Sequence, residues 1–303
     1  MIPAHSRFAR RPLRHWRERA IEGILFFAAF SSVATTIAIV AILVYESLGF
    51  FEHAPLWDFL TDTQWSILFA EKHYGILALI SSTLVVTGVA LLVAAPLGTI
   101  IAIYLSEFAP HKVQETIKPT LELLAGVPTV VYGYFALLLV TPMLQNFLPD
   151  LSGFNRLSAG IVIGVLIIPQ LSSLSEDAMR AVPMALREAS YAMGATRFQT
   201  AIKVVLPAAT SGIVAAYILG ISIAIGETMV VTVAAGQQPN FSWNPMEPGA
   251  TITAYIAQVS LGDLPHGSLE YQSIFAAGLV LMIMTLTLNV TGHLVRRRFR
   301  EVY

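Results

Sequence analysis

Long apolar runs separated by short polar stretches dominate this chain, and their lengths set its class. A window of about 19 residues finds six such runs, at 21–44, 76–105, 121–144, 157–174, 208–235 and 274–295. A bilayer-crossing helix needs about 20 apolar residues, so the first, second, fifth and sixth runs predict uninterrupted spans. The third and fourth are weaker, because Pro128, Pro142 and Pro169 fall inside them. Membrane helices tolerate proline where neighbours re-satisfy the freed backbone groups. The pattern therefore predicts an all-α membrane protein of six transmembrane helices, with five as the fallback. Composition agrees: 55% of the 303 residues are hydrophobic and 12% are charged, against about 25% charged in soluble domains.

Basic residues test the six-span topology. Arg7, Arg10, Arg11, Arg14, Arg17 and Arg19 precede the first run, Lys112 and Lys118 follow the second, Arg180, Arg187, Arg197 and Lys203 follow the fourth, and Arg296, Arg297, Arg298 and Arg300 end the chain. Of 18 Lys and Arg, 16 thus fall on one side, and only Lys72 and Arg156 on the other. By the positive-inside rule that side is cytoplasmic and holds both termini. The Arg-rich start could also open a signal peptide. However, the first run exceeds the roughly 7–15 residues of a signal-peptide core, and no small-residue cleavage site follows Tyr45, so a retained helix is expected. The simplest division is a basic arm at 1–20, a membrane domain at 21–296 with a cytoplasmic loop at 178–207, and a tail at 297–303.

The other side carries two longer loops. Residues 45–75 are acidic and aromatic, and Trp57 and Trp65 fit an interfacial belt. Residues 236–273 hold no Lys or Arg. Within them, "TITAYIAQVSL" is too short to span and is expected to lie in the interface or dip into the membrane. Either loop is a solvated connector or a docking site for an external protein.

Chemistry-bearing patterns are few. With no cysteine, disulfides and thiolate metal sites are excluded. The seven histidines lack the H-x3-H spacing of a metal site. There is no phosphate-binding G-x-x-x-x-G-K-[ST] loop, so the chain has no ATPase site of its own by motif. Glu176 and Asp177 end the fourth run, where a solvated helix end or a proton relay are the two readings. Gly160 and Gly164 form a small-x-x-x-small pair suited to helix packing, or are neutral.

The stretch "REASYAMGATRFQTAIKVVLPAA" at 187–209 interrupts the apolar pattern with Arg187, Glu188, Arg197 and Lys203. Read as a helix, Tyr191, Ala195, Phe198, Ile202 and Val205 form one stripe, with Glu188, Thr196, Gln199 and Lys203 on another face. Gly194 would cost such a helix about 1 kcal/mol relative to Ala, so two short helices hinged near Gly194 are expected. Pro207 fits the first turn of the fifth span. An amphipathic helix on the membrane surface also explains the stripe, but not the central Gly or the Leu-Pro that follows.

These residues resemble the cytoplasmic loop of bacterial ABC-importer permeases, whose pattern is E-A-A-x3-G-x9-I-x-L-P. Glu188, Ala189, Ser190, Gly194, Val204, Leu206 and Pro207 occupy it, with Ser for the second Ala and Val for Ile. "ELLAGVPTVVYG" at 122–133 and "GETMVVTVAAG" at 226–236 resemble segments of the permeases of high-affinity phosphate importers. The Gly-Glu-Thr-Met form is less like the PstA permease, where Ala-Pro usually follows Gly-Glu-Thr. The resemblance implies a type I ABC-importer permease fold in the bacterial inner membrane. It implies a coupling helix that docks on a separate ATPase, which would hold the ATP and Mg. It also implies a PstA-like sister permease, a PstB-like ATPase dimer and a PstS-like periplasmic phosphate-binding protein as partners.

Inside the spans, the candidate translocation path or gate is Gly226, Glu227 and Thr228 with Pro128 and Thr129. Glu227 would sit about 20 residues into the fifth span, about 30 Å from its start. A carboxylate there costs at least about 2.5 kcal/mol and marks a pathway by default, or pins the helix by hydrogen bonds. Gly220 and Gly226 would allow close helix approach. The resemblance places an Arg four residues before this Glu in relatives; here Ile223 stands there, so either the sister subunit supplies a cation or the step needs none here. Backbone amides near Gly126 and Pro128 either cradle an anion or mark an ordinary kink.

Overall fold

The structure, a computed structural model, describes residues 12–67 and 71–298; Arg7, Arg10, Arg11 and Arg300 lie outside them. These residues are helical apart from loops and one isolated bridge between Trp65 and Tyr74. Helix α1 (Pro12–Phe51) is followed by the short α2 (Leu56–Thr61) and by α3 (Leu77–Ile103), which ends in a π-helical turn at Tyr104–Phe108. Next come α4 (His111–Ala125) and α5 (Thr129–Phe135), the latter running through a π-helical turn into α6 (Thr141–Gln145). After α7 (Arg156–Arg180) and α8 (Met184–Ala192), α9 (Arg197–Thr200) runs through a third π-helical turn into α10 (Leu206–Ala208). The chain closes with α11 (Thr210–Gly226), α12 (Met229–Ala234), α13 (Ile252–Ser260) and α14 (Leu269–Arg298).

Among the described residues, four helices, α1, α3, α7 and α14, are long and apolar enough to cross a membrane unbroken. Six spans result only if two bent pairs each count as one: α4 with α5–α6, bent by 86°, and α9–α10 with α11, bent by 72°. The strength of the runs is partly reversed. The weak fourth run becomes α7, unbroken for 25 residues with Pro169 inside it and two-thirds buried. The fifth run, expected to be continuous, bends at Ala209 and breaks again at Glu227. Pro207 accordingly belongs to the arm before the bend, not to the spanning helix.

Helix α7 lies at the centre because its glycines admit neighbours. A Cβ on Gly160 would stand 2.6 Å from Val89 Cβ, and one on Gly164 would stand 2.8 Å from both Val93 Cβ and the Ala90 carbonyl. The small-x-x-x-small pair is therefore the seam with α3. On the other side Ala178 packs against Gly212 of α11. Helix α1 is the opposite case: its spanning window has no buried residue, and Phe26 and Phe27 are more than two-thirds exposed. Such a helix needs lipid or a partner around it.

The loops beyond Phe51 and Gly236 are part solvated and part packed: Trp57, Gln237 and Trp243 are exposed, while Ala54, Phe59 and Ala250 are buried. Trp65 is buried with Phe50, Phe59 and Tyr255 in edge-to-face contacts, so it is a core residue and not part of an interfacial belt, whereas Trp57 is exposed. Lys72 reaches Glu270 at the start of α14 at 2.7 Å, and His73 reaches Asp62 at 3.0 Å. Helix α13 packs against α3, α12 and α14, with its first amide donating to Thr83 Oγ1 at 3.1 Å; it is buried inside the bundle, not laid on its surface. At the opposite end, Arg187 meets Glu107, Arg180 meets Gln114, and Arg296 and Arg297 line a cavity with Ser211. Of the basic residues expected to share a side, Arg180, Arg187, Arg296 and Arg297 thus lie on neighbouring elements, with Ala178 of α7 against Gly212 of α11 between them.

Candidate functional site

The loop after α7 folds as two short helices about a glycine. Helix α8 ends in a Schellman motif: the Gly194 amide donates to the Tyr191 carbonyl and the Ala195 amide to the Ser190 carbonyl. That motif needs a left-handed residue, and Gly194 supplies φ +83°. Thr196 then opens α9 with a reciprocal capping box to Gln199. Ser190 Oγ and Thr200 Oγ1, 2.9 Å apart, tie the two helices across the hinge. The hinge dissolves the single stripe expected of one helix. Tyr191 and Phe198 are exposed, Val205 is fully buried, and Arg187, Thr200 and Ala201 face inward. What remains outside is a surface of Met184, Glu188, Ala189, Met193 and Phe198. Leu206 packs on the cluster beneath, and Pro207 is exposed.

Two buried ion clusters hold this end together, and the sequence pattern flagged neither. Arg187 is 8% exposed and forks onto Glu107, at 3.0 Å from Nη2 to Oε1 and 3.4 Å from Nε to Oε2. Glu176 is fully buried, ion-paired with Lys118 of α4 and, at 2.5 Å, with Arg180. It is not the solvated helix end allowed for in the sequence; Asp177 beside it is the exposed one. Helix α4 has no buried residue, so Lys118 to Glu176 and Gln114 to Arg180 are what pin it to α7.

The candidate path residues sit at two breaks. At Glu227 the backbone turns extended (φ −65°, ψ 127°) and α11 stops. The Glu227 carboxylate accepts from the amides of Met229, at 3.1 Å, and Val230, at 3.3 Å, capping α12, and Thr253 Oγ1 donates to its carbonyl at 2.8 Å. The hydrogen-bonding role considered from sequence is therefore present, but it starts a new helix and does not pin an old one. Thr228 Oγ1 donates to the Gly226 carbonyl. Gly226 is exposed with nothing near its missing Cβ, so it is not a point of close helix approach; Gly220 is in ordinary contact with Leu171.

The other break spans 126–128. Gly126 and Val127 both donate their amides back into α4, so they are not free to cradle an anion. Pro128 precedes α5 with its carbonyl accepting from Val131, Thr129 opens the helix, and Tyr132 Oη donates across the bend to the Leu124 carbonyl at 2.8 Å. Helices α5 and α12 pack at Gly133, whose added Cβ would stand 2.9 Å from Val233 Cβ. The structure thus brings together the helices that the two breaks begin. Ile223 lines a cleft of about 360 Å³ between α4, α7 and α11, with Lys118, Glu122, Gln170 and Ser173 on its walls.

Residues 94–301 match the family described as "Binding-protein-dependent transport system inner membrane component", and the chain belongs to that family. It is 36% identical over 265 residues to the "Probable ABC transporter permease protein YqgH" of Bacillus subtilis, covering 86% of this chain and 85% of that one. It is 32% identical to the "Phosphate transport system permease protein PstC" of Xylella fastidiosa, covering 80% of this chain and 79% of the relative. Among solved structures it resembles a chain of a bacterial ABC transporter for alginate, with a TM-score of 0.64 at 16% identity over 95% of this chain and all of the other. At that identity the likeness concerns the fold, which is that of a type I importer permease.

Proposed function

We propose that this chain is a permease subunit of an ATP-driven importer, forming the path for inorganic phosphate through the bacterial inner membrane. The observation that carries the reading is the hinged loop: α8, Gly194 and α9 present Glu188, Ala189, Met184, Met193 and Phe198 outward. A charged, apolar-rimmed helix held rigidly at a bundle end is suited to docking in another protein's groove. The motif Glu188, Ala189, Ser190, Gly194, Leu206, Pro207 is the ATPase-coupling loop of this reading. The names of the PstC relatives supply the substrate.

In this reading the loop end and both termini are cytoplasmic, as the positive-inside rule requires. A PstB-like ATPase dimer binds ATP and Mg there and meets α8. A PstA-like sister permease completes the path and helps cover α1. A PstS-like binding protein delivers phosphate at the opposite end, over the packed 45–75 and 236–273 loops. The gate is built at the Gly226, Glu227, Thr228 break and the Pro128, Thr129 break, whose helices α12 and α5 pack together. The chain hydrolyses no ATP itself.

The test is uptake of labelled phosphate into proteoliposomes holding all four components, with and without ATP on the loop side. ATP-dependent accumulation that excess sulfate and molybdate leave intact is the expected result. Uptake of phosphonate, sulfate or molybdate in its place would keep the permease assignment and change the substrate. Transport driven by an ion gradient in the chain alone would replace the reading with a secondary transporter.

A further inference from the structure

We infer that Arg187 is the strut through which α8 moves the α3–α7 pair, which makes it a positioning residue for coupling ATP hydrolysis to transport; this rests on the reading of α8 as the ATPase-docking helix. Arg187 is the buried charge of α8, while its neighbour Glu188 is exposed. Its guanidinium reaches the turn that ends α3, the last turn of α7 and the loop that follows it. Two bonds go to the Glu107 carboxylate in the π-helical turn that ends α3, at 3.0 and 3.4 Å. Nη2 also donates to the Met179 carbonyl at 2.9 Å and Nη1 to the Val182 carbonyl at 2.6 Å, at the end of α7. Ser106 Oγ donates to Glu107 Oε1 at 2.9 Å and holds the acceptor in place.

Such a planar guanidinium, bidentate to a carboxylate and bonded to two carbonyls as well, is not replaceable by a lysine, which is a point charge without the fork. It joins α8 to the two helices most tightly locked together, since α3 and α7 interlock at Gly160 and Gly164. On its other side α8 is tied to α9 by the Gly194 turn and the Ser190–Thr200 hydroxyl pair, and its Leu186 packs on the apolar cluster of Met179, Val182, Val205 and Ala209. The fork therefore adds a directional polar joint from α8 to α3 and α7 beside the apolar packing of Leu186. A buried pair of this kind leaves an uncompensated charge when one partner is lost, so the joint should be sensitive to either residue.

The experiment uses the assembled four-component complex in proteoliposomes and reads ATP hydrolysed per phosphate moved, together with the amount of ATPase co-purifying. Arg187→Lys and Glu107→Gln are each expected to raise that ratio about tenfold, within the range of coupling between sites, while retaining the ATPase. Glu107→Gln keeps the volume and an acceptor oxygen, so it remains informative if Arg187→Lys fails to assemble. The chain has no cysteine, so a Glu107→Cys, Arg187→Cys protein has just two thiols. Bridging them with a short bifunctional thiol reagent should restore the ratio lost in the unbridged form.

Wild-type ratios in both single variants would overturn the strut. So would transport arrested by the bridge, which would mean the pair must open during the cycle, or loss of the ATPase from the variants alone, which would mean Arg187 serves docking. Failure of the unaltered complex to bind the ATPase or to transport would instead sink the underlying coupling reading.

Discussion

Arg156 and Glu247 stand 3.7 Å apart, with the arginine fully buried at the start of α7 and the carboxylate at the surface of the loop it supports. Arg156 also donates to the carbonyls of Ser242, Asn244 and Glu247, at 2.6, 2.8 and 3.2 Å. One side chain thus supplies the donors that a run of irregular backbone would otherwise lack. Arg156→Met should loosen residues 242–247 and cost about 2 kcal/mol, the scale of hydrogen bonds to a charged group. Faster amide exchange confined to that loop, in detergent-solubilised protein, is the expected readout.

The same loop should weaken in acid. Hydrogen bonds from Ser242 and Asn244, with help from the Arg156 charge and Asn240, hold the Glu247 carboxyl below its ordinary value. A carboxyl lowered on folding contributes stability above its unfolded value and loses it as pH falls through the folded one. The protection of the loop amides relative to their intrinsic exchange rates should therefore fall as pH drops through and below the usual carboxylate range, and Glu247→Gln should flatten that dependence.

At the hinge, Gly194 carries φ +83°. An alanine there would cost about 1–2 kcal/mol, and a proline would fix φ near −65° and remove the amide that donates to Tyr191. Gly194→Pro should abolish ATP-coupled phosphate uptake while the protein still extracts and melts as a folded species. Normal uptake from that variant would remove the hinge from the coupling scheme.

Gly164→Val should be among the most damaging changes in the membrane core. Its Cβ alone would lie 2.8 Å from the Ala90 carbonyl, so α3 and α7 would have to separate. Overpacking of this kind costs about 1–3 kcal/mol or more, visible as a lower melting temperature. Gly23→Ala, with nothing within 4 Å of its added Cβ, is the matched control and should not destabilise.

For Glu227, shape and charge can be separated. Gln keeps an oxygen for the amides of Met229 and Val230, whereas Ala leaves them uncapped at a cost of about 1 kcal/mol. If the break at 227 shapes the gate, Glu227→Gln should retain most ATP-driven uptake and Glu227→Ala should lose it. Equal loss in both would assign the function to the charge.

Much of this protein was legible from sequence because the signals are local. Apolar run length sets which segments can cross a membrane, and the Glu188-to-Pro207 spacing with a central Gly marked the hinge that Gly194 forms. The small-x-x-x-small pair on α7 likewise marked a seam that the structure realises. Other expectations failed where burial depends on distant partners. Trp65 looked interfacial until Phe50, Phe59 and Tyr255 closed round it, and Glu176 looked solvated until Lys118 met it.

By itself, then, the sequence determined the helical class, the candidate spans and the hinged motif, all properties readable within about one helix length. Tertiary structure alone decided which charges are buried and with whom. Arg187 finds Glu107 across 80 residues and Arg156 finds Glu247 across 91, and no window along the chain contains both members of either pair. Tertiary structure also placed the break at Glu227. An apolar run favours a continuous helix, and only packing of α12 against α5 and α13, with a carboxylate to cap the new start, makes stopping there the more stable choice.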